Sequence, residues 1–312
     1  MRVVLLGGTG FIGSAVTRLL AARGDDVIIP TRSPQRHAAI ASANVILAPW
    51  NGSDPAPLAE LVTDAHAVVN LLGENIAAGR WTPALKARIV ASRVNAGQAL
   101  VAACRKASNP PQVVIQASAV GYYGGWPDAL TAPVRTEAAP SGHGFLAETA
   151  RQWEASTAPL ADMGIARSII RTSVVLGAHG GALARMLPAF RAFAGGPLGS
   201  GRQPFAWIHL EDEARAILHL MDRPQLSGPF NLAAPQAVSL TQFCNVLGKV
   251  LHRPSWLAAP AFALRLAFGD MADEALLTGQ ITPPARLLES GFTFTYPTLE
   301  AALGNIAGQA AA

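Results

Sequence analysis

Short apolar runs alternate with longer stretches of helical spacing along the first half of the chain. The apolar runs predict strands at residues 3–6, 27–30, 45–47, 67–71, 113–117 and 166–170. The helical spacing predicts helices at residues 11–23, 83–106 and 144–160. Strands that alternate with helices are typical of a parallel sheet covered on both faces. The pattern therefore predicts a doubly wound α/β fold, with ligands at the carboxyl ends of the strands.

The pattern becomes irregular after about residue 175, where glycine and proline punctuate residues 177–204. From Pro254 onward, prolines separate short helical stretches. The later predicted elements are strands at 205–208 and 229–232, and helices at 211–221 and from Ser239. We predict a nucleotide-binding domain over residues 1–235, with part of a substrate lobe inserted around 177–205, and a smaller, mostly helical C-terminal lobe over residues 236–312. We expect the two parts to pack as one unit.

A glycine-rich turn directly follows the first predicted strand, since residues 3–13 read VVLLGGTGFIG. In such a turn the first glycine permits a tight bend, the second lets the backbone approach a phosphate, and the third allows close helix packing. Free N–H groups at the helix N-terminus then favour an anion. The GxxGxxG spacing fits the dinucleotide fingerprint loosely, but its place between strand and helix favours nucleotide binding over a plain structural turn. The predicted cofactor residues here are Gly7, Thr9, Gly10, Phe11, Ile12 and Gly13.

The end of the second predicted strand indicates which dinucleotide binds. NAD-binding folds carry an Asp or Glu there for the ribose 2′-hydroxyl, whereas residues 28–33 read IIPTRS and hold no carboxylate. Arg32 instead offers a guanidinium for a 2′-phosphate, although an ordinary surface arginine is the alternative. We therefore predict NADP(H) as the cofactor. Beyond the glycine turn, its predicted contacts are Thr31, Arg32, Ser33, Leu71, Leu72, Gly73 and Ser118.

Composition narrows the class of protein. The 312 residues, half of them hydrophobic, suit one large domain or a domain with a smaller lobe. The net charge of +4 is spread along the chain, which argues against a nucleic-acid partner. No apolar run reaches the ~20 residues of a membrane span, and the glycine turn leaves no room for a signal peptide, so we expect a cytoplasmic protein without a membrane partner. The spacing of Cys104, Cys244 and the histidines predicts no metal site.

Several motifs resemble those of the extended and atypical short-chain dehydrogenase/reductases. The matching segments are GGTGFIG at 7–13, ASAVGYYG at 117–124, RTSVVLG at 171–177, WIHLED at 207–212 and FNL at 230–232. The chain is most similar to an atypical group of NAD-dependent epimerase/dehydratase-like proteins of uncertain function. The C-terminal domain of unknown function in that group resembles residues 260–265, 269–277 and 279–299. The resemblance covers essentially the whole chain and implies a Rossmann fold with oxidoreductase or epimerase-like activity.

The resemblance also implies catalytic residues that this chain lacks. That superfamily usually works with a Ser or Thr and with a Tyr four residues before a Lys on one helix, where the Lys lowers the pKa of the Tyr. None of the three tyrosines stands four residues before a lysine. The helix expected to carry the pair has Leu146 and Ala150 instead. The sequence therefore predicts a non-standard active site.

The remaining candidates for catalysis each have a simpler alternative. Ser118 matches the serine that binds a substrate carbonyl, but a strand-end hydroxyl can bond its own backbone instead. Tyr122, Tyr123 or a water would donate the proton, with the other tyrosine serving in packing. Glu154 would act near the substrate if it is buried, whereas a solvated helix face explains it more simply. Arg202, in a glycine-rich loop, would meet a phosphate or carboxylate unless it is an ordinary surface arginine.

Two hypotheses about function remain open. The first is an NADP(H)-dependent oxidoreductase or epimerase-like enzyme that acts on a small carbonyl or hydroxyl substrate. The second is a non-catalytic NADP(H)-binding protein that senses redox state or acts as a scaffold, which the missing Tyr–Lys pair favours. The long predicted helices would suit a homodimer. No motif names the substrate.

Overall fold

The computed structural model describes residues 1–311 of the chain. Its strands are β1 (Arg2–Leu6), β2 (Asp26–Thr31), β3 (Val45–Pro49), β4 (Ala67–Asn70), β5 (Val113–Ala119), β6 (Ala166–Thr172), β7 (Val174–Gly177), β8 (Pro204–Phe205), β9 (Trp207–His209), β10 (Gly228–Leu232) and β11 (Val238–Ser239). Its helices are α1 (Phe11–Arg23), α2 (Pro55–Val62), α3 (Pro83–Lys106), α4 (Phe145–Ser156), α5 (Gly181–Arg191), α6 (Leu210–Met221), α7 (Leu240–Leu251), α8 (Ala261–Phe268), α9 (Ala285–Glu289) and α10 (Leu299–Ala311).

Seven parallel strands form the central sheet of the described residues, in the order β10-β6-β5-β4-β1-β2-β3. The strand order therefore reverses between β1 and β4, which lie side by side. In an open sheet of this kind, ligands bind at that reversal, beyond the carboxyl ends of the strands. The predicted doubly wound α/β fold is confirmed, and each of the first six predicted strands corresponds to one of β1–β6.

Both faces of the sheet are buried, which explains why its strands read as continuous apolar runs. Along β1, Val3 and Leu5 pack in one hydrophobic cluster, while Val4 and Leu6 pack in another on the opposite face. Helices α1 and α6 cover the first face, and helices α2 and α3 cover the second. The side chains of the strands therefore alternate between two apolar layers, and polar side chains such as Asn70 and Ser118 are found at the strand ends.

A third hydrophobic cluster lies under the predicted C-terminal lobe, which is mostly helical as expected. It joins Leu176 of β7 and Phe190 of α5 to Phe243 of α7 and Leu303 of α10. Residues on either side of position 235 thus share one core. The domain boundary at 235/236 stays a prediction.

Two local expectations were wrong. Helix α5 lies inside the stretch predicted to be irregular, because its Leu183, Leu187 and Phe190 keep helical spacing among the glycines and prolines. The helix predicted over residues 144–160 ends at Ser156, and a 3-10 turn follows at Ala158–Met163. Pro159 explains this end, because a proline lacks the N–H that the helix needs and its ring clashes with the preceding turn. Across residues 1–311, no helix combines the length and hydrophobicity needed to cross a bilayer.

Candidate cofactor-binding and active site

The glycine turn after β1 has a geometry that side chains would disrupt. Gly7 has a φ of +83°, a conformation that favours glycine. A Cβ at Gly13 would lie 2.1 Å from the carbonyl oxygen of Gly7, and a Cβ at Gly10 would lie 3.2 Å from the same atom. The turn is therefore as tight as the sequence predicted, and it brings the N-terminus of α1 directly above the end of β1.

Neither a side-chain cap nor an acidic residue of its first turn neutralises the N-terminus of α1. Gly10 is its N-cap, so no side chain accepts from the first amides, and the first turn carries no acidic residue. The first helical hydrogen bond runs from the Ser14 amide to the Gly10 carbonyl at 2.8 Å. The amides of Phe11, Ile12 and Gly13 therefore precede the helical bonding and remain available to a ligand. The diphosphate of a dinucleotide suits this arrangement, because the helix dipole favours negative charge there.

Arg32 follows β2 directly and is exposed. It takes part in none of the ion pairs formed among residues 1–311. The amide of Ser33 donates to the Thr31 hydroxyl at 3.4 Å, which bends the chain away from the sheet at this point. An unpaired guanidinium at the end of the second strand is what a ribose 2′-phosphate requires.

The segment Leu71–Gly73 continues β4 past the sheet edge, beside the glycine turn. The Leu71 amide donates to the Leu6 carbonyl at 2.9 Å, and the Leu71 backbone would lie 3.1 Å from a Cβ at Gly7. Below it, the Asn70 amide group donates to the Gln116 side chain at 3.0 Å, which ties β4 to β5. Because Asn70 is in register with Gln116, Leu72 and Ser118 reach the same level of the site.

Ser118 and Glu154 belong to one buried polar network. The Ser118 hydroxyl donates to Glu154 at 2.7 Å, and Arg171 of β6 donates to both oxygens of that carboxylate at 2.9 and 3.0 Å. The solvated helix face expected for Glu154 is wrong, because this side chain is buried against the guanidinium. Although burial works against the charge, the Glu154 carboxylate raises the pKa of Arg171 above its usual value. With its proton committed to Glu154, Ser118 does not present a donor to a carbonyl in this arrangement.

The two neighbouring tyrosines have different surroundings. Tyr123 is fully buried; its hydroxyl donates to Asn231 at 2.7 Å and accepts from Arg171 at 2.9 Å. Burial raises the pKa of Tyr123, although Arg171 acts in the opposite direction. Tyr122 is only partly buried, with its ring 3.6 Å from the Arg171 guanidinium. We find no hydrogen bond from its hydroxyl to residues 1–311, so Tyr122 is the tyrosine that keeps a free hydroxyl.

Helix α4 presents apolar groups where the Tyr–Lys pair was expected. Leu146 packs with Phe145 in a small cluster that also contains Trp81 and Leu276. Ala150 is buried. Apolar packing therefore occupies the positions where the Tyr–Lys pair was expected. Because Leu276 belongs to the same cluster, the C-terminal part of the chain packs on the start of α4.

Arg202 lies at the surface rather than in the cleft. Its side chain is 70% exposed and pairs with Asp128 at 3.2 Å. Arg93 of α3, which the sequence analysis did not single out, lies against the site instead: a Cβ at Gly73 would be 2.9 Å from the centre of its guanidinium. No local motif marked Arg93, because its neighbours Gly73 and Trp153 are distant in sequence.

Comparison with protein families finds two matches. The family described as "NAD dependent epimerase/dehydratase family" matches residues 3–233. A second family, described as a domain of unknown function (DUF1731), matches residues 259–306. The first match spans β1–β10 and the second spans α8–α10, in agreement with the resemblance that the motifs indicated.

Similar proteins cover the whole chain. An epimerase family protein of Mycobacterium tuberculosis is 41% identical over 303 residues, which is 97% of this chain and 96% of that protein. A crystal structure of the human epimerase family protein SDR39U1 (isoform2) with NADPH has 33% identity and a TM-score of 0.87, and covers 99% of both chains. The nucleoside-diphosphate sugar epimerase from Corynebacterium glutamicum has 29% identity and a TM-score of 0.75, over 99% of this chain and 58% of that one.

Proposed function

This chain belongs to the NAD dependent epimerase/dehydratase family, and we propose that it is an NADP(H)-dependent oxidoreductase or epimerase-like enzyme acting on a small carbonyl or hydroxyl substrate. The observation that carries the proposal is the unpaired, exposed Arg32 at the end of β2, next to an uncapped helix N-terminus. A relative of 33% identity was crystallised with NADPH, which supports the same choice of nucleotide here.

The residues that would hold the nucleotide come from three loops at the sheet edge. The amides of α1 suit the diphosphate, Arg32 suits the 2′-phosphate, and Leu71–Gly73 lie along the side of β4 that borders the glycine turn. Bound NADPH would supply a hydride. Tyr122 would then donate a proton to the substrate oxygen, because its hydroxyl is free, while Ser118 and Tyr123 are committed to other partners.

Titration of the protein with NADPH and NADH, by calorimetry, tests the choice of cofactor. A charge-assisted contact to the 2′-phosphate contributes about 1.5–3 kcal/mol, so Arg32→Ala should weaken NADPH binding by roughly tenfold to a hundredfold. Binding of NADH should be weaker than that of NADPH in the wild type and should be unchanged in the variant.

Arg105→Ala is the matched control, since it removes an exposed arginine from the far end of α3 and lowers the net charge equally. Equal affinity of the wild type for NADH and NADPH would contradict the assignment of Arg32. Binding of neither nucleotide would overturn the proposed function.

The second candidate is a non-catalytic NADP(H)-binding protein. The apolar packing of Leu146 and the buried Ala150 favour it, because neither can move a proton. Loss of NADPH absorbance after addition of aldehydes or ketones detects an oxidoreductase, whereas an epimerase consumes no net cofactor and is detected by chromatography of sugar nucleotides incubated with the protein and NADP⁺. Turnover supports the enzyme, whereas a change in oligomeric state on NADPH binding, without turnover, supports the sensor.

A further inference from the structure

The Arg93 guanidinium is fixed by protein contacts, but only one of its three nitrogens donates a hydrogen bond to residues 1–311. Its Nη1 donates to the backbone carbonyls of Glu74 and Ile89 at 3.1 and 3.0 Å. The face of the guanidinium stacks on Trp153, with 4.8 Å between its central carbon and the ring centroid. These contacts from α3, α4 and the loop after β4 fix the side chain. They leave Nε and Nη2 without a protein acceptor among residues 1–311.

No carboxylate among residues 1–311 forms an ion pair with Arg93. Glu74, whose charge acts on Arg93, forms an ion pair with Arg88 instead, at 3.2 Å. Burial lowers the pKa of Arg93 to about 10, although the charge of Glu74 acts in the opposite direction. A partly buried cation without an ion-pair partner costs free energy, and such groups cluster at binding sites.

The guanidinium of Arg93 packs against the loop after β4, at the carboxyl edge of the sheet. A Cβ at Gly73 would lie 2.9 Å from the central carbon, 3.0 Å from Nη2 and 3.2 Å from Nε, so Gly73 lies over a face of the guanidinium and a larger residue there would displace it. Gly73 is exposed, and it follows the Leu71 that borders the glycine turn. Arg93 therefore reaches the same cleft as the proposed cofactor site, on the side away from Arg32.

We propose that Arg93 binds an anionic group, a carboxylate or a phosphate, of the ligand in this cleft. A planar fork with two parallel N–H donors matches the two oxygens of either group. The inference rests on the proposed function for the location of the cleft. Two sources share this chemistry: the diphosphate of the cofactor, and an acidic group of the substrate. The second source would make the substrate an acidic carbonyl or hydroxyl compound.

The experiment compares Arg93→Met and Arg93→Lys with wild type by calorimetry. Arg105→Met is the matched control, because Arg105 is an exposed arginine of the same helix that forms no ion pair among residues 1–311. Three titrations are made: NADPH alone, inorganic phosphate and malonate in saturating NADPH, and the same two anions without nucleotide. Thermal unfolding of each variant reports whether it is folded.

Each source predicts a different result. If Arg93 holds the cofactor, Arg93→Met weakens NADPH binding tenfold or more, and Arg105→Met does not. If it holds the substrate, NADPH binding is unchanged, and binding of malonate or phosphate to the NADPH complex falls tenfold or more. Arg93→Lys should retain part of the binding, since it keeps the charge without the fork, and it carries the test should Arg93→Met fail to fold.

The inference and the proposed function fail separately. Anion binding without nucleotide, lost in Arg93→Met but not in Arg105→Met, supports Arg93 even if NADPH does not bind. Folded Arg93→Met and Arg93→Lys that bind NADPH and both anions as the wild type does would overturn the inference. So would a wild type that binds neither anion under any condition, together with unchanged NADPH binding by the folded Arg93 variants. The proposed cofactor would stand in either case.

Discussion

Two buried glutamates near the ends of the sheet strands have opposite surroundings. Both carboxylate oxygens of Glu154 accept hydrogen bonds from Arg171, whereas Glu213 of α6 accepts a single hydrogen bond, from the Thr172 hydroxyl at 2.8 Å. The second oxygen of Glu213 has no partner among residues 1–311. Burial raises the pKa of Glu213 to about 8, against the smaller effect of Thr172. Glu213 is therefore mostly protonated at pH 7.

This raised pKa makes stability depend on pH. Unfolded glutamate ionises near pH 4.3, so between about pH 4.5 and 8 the unfolded state alone releases the proton, and the free energy of unfolding falls as pH rises. Glu213→Gln removes that contribution. The free energy of unfolding of the variant minus that of the wild type should therefore be larger at pH 8 than at pH 5.5, by about 1 kcal/mol or more. Urea unfolding of both proteins at the two pH values measures this difference. If the difference between variant and wild type were the same at both pH values, Glu213 would not be the source of the pH dependence. The same conclusion would follow if Glu300→Gln, which changes an exposed glutamate, altered the pH dependence of stability equally.

Single residues were predictable where the signal is local. Gly7 and Gly13 stand in a turn whose strand and helix flank them in sequence, and Arg32 follows its strand directly. Glu154 of helix α4 was misjudged because its partner Arg171 is 17 residues away, on strand β6. Arg93 was missed because Gly73 and Trp153 approach it only through the fold. Charge alone does not distinguish a solvated arginine from one held against a binding cleft.

At the scale of single elements, helix α4 is capped by the C-terminal part of the chain. The Glu274 carboxylate, in a π-helical turn at Ala272–Leu276, accepts from the amides of Phe145 and Leu146 at 2.7 and 2.9 Å. Two of the unpaired N–H groups at the start of α4 are thereby satisfied. The sequence predicted this helix from its spacing, but not its cap, which is supplied from 129 residues beyond Phe145.

Removal of this cap should destabilise the protein. Loss of a helix cap costs about 0.5–2 kcal/mol, so Glu274→Ala should lower the free energy of urea unfolding by about that amount, and Glu274→Gln by less, since an amide oxygen still accepts. Asp273→Ala is the control, because among residues 1–311 the Asp273 carboxylate forms an ion pair only with exposed Arg265, and a solvent-exposed pair contributes little to stability. Equal losses in Glu274→Ala and Asp273→Ala would show that the cap contributes nothing specific.

At the scale of the whole molecule, each free cysteine reports on a different core. Cys104 packs with the helices α2 and α3 below the sheet, and Cys244 packs in the cluster shared by β7, α5, α7 and α10. Burial raises the pKa of both thiols to about 12, so both should be unreactive in the native protein.

Thiol labelling across a urea series tests whether these cores unfold together. Because the third cluster joins residues on both sides of position 235, Cys104 and Cys244 should become reactive at the same urea concentration, as resolved by mass spectrometry of the labelled peptides. Reaction of Cys244 at clearly lower urea than Cys104 would show a separately unfolding lobe and would support the predicted boundary at 235/236. Circular dichroism on the same samples gives the global transition as a reference.

Helix α10 is synthesised after all the strands of the central sheet, yet its Leu303 and Ile306 complete the core around Phe243. Strands β1–β6 are made early and can pair as they emerge, since domains form from the N-terminus during synthesis. Leu176 and Phe190 are made before α7 and α10, so part of their apolar surface stays uncovered until those helices have been synthesised. The nascent chain thus carries an exposed hydrophobic surface between the synthesis of β7 and that of α10, and chaperone protection matters most for this part of the molecule.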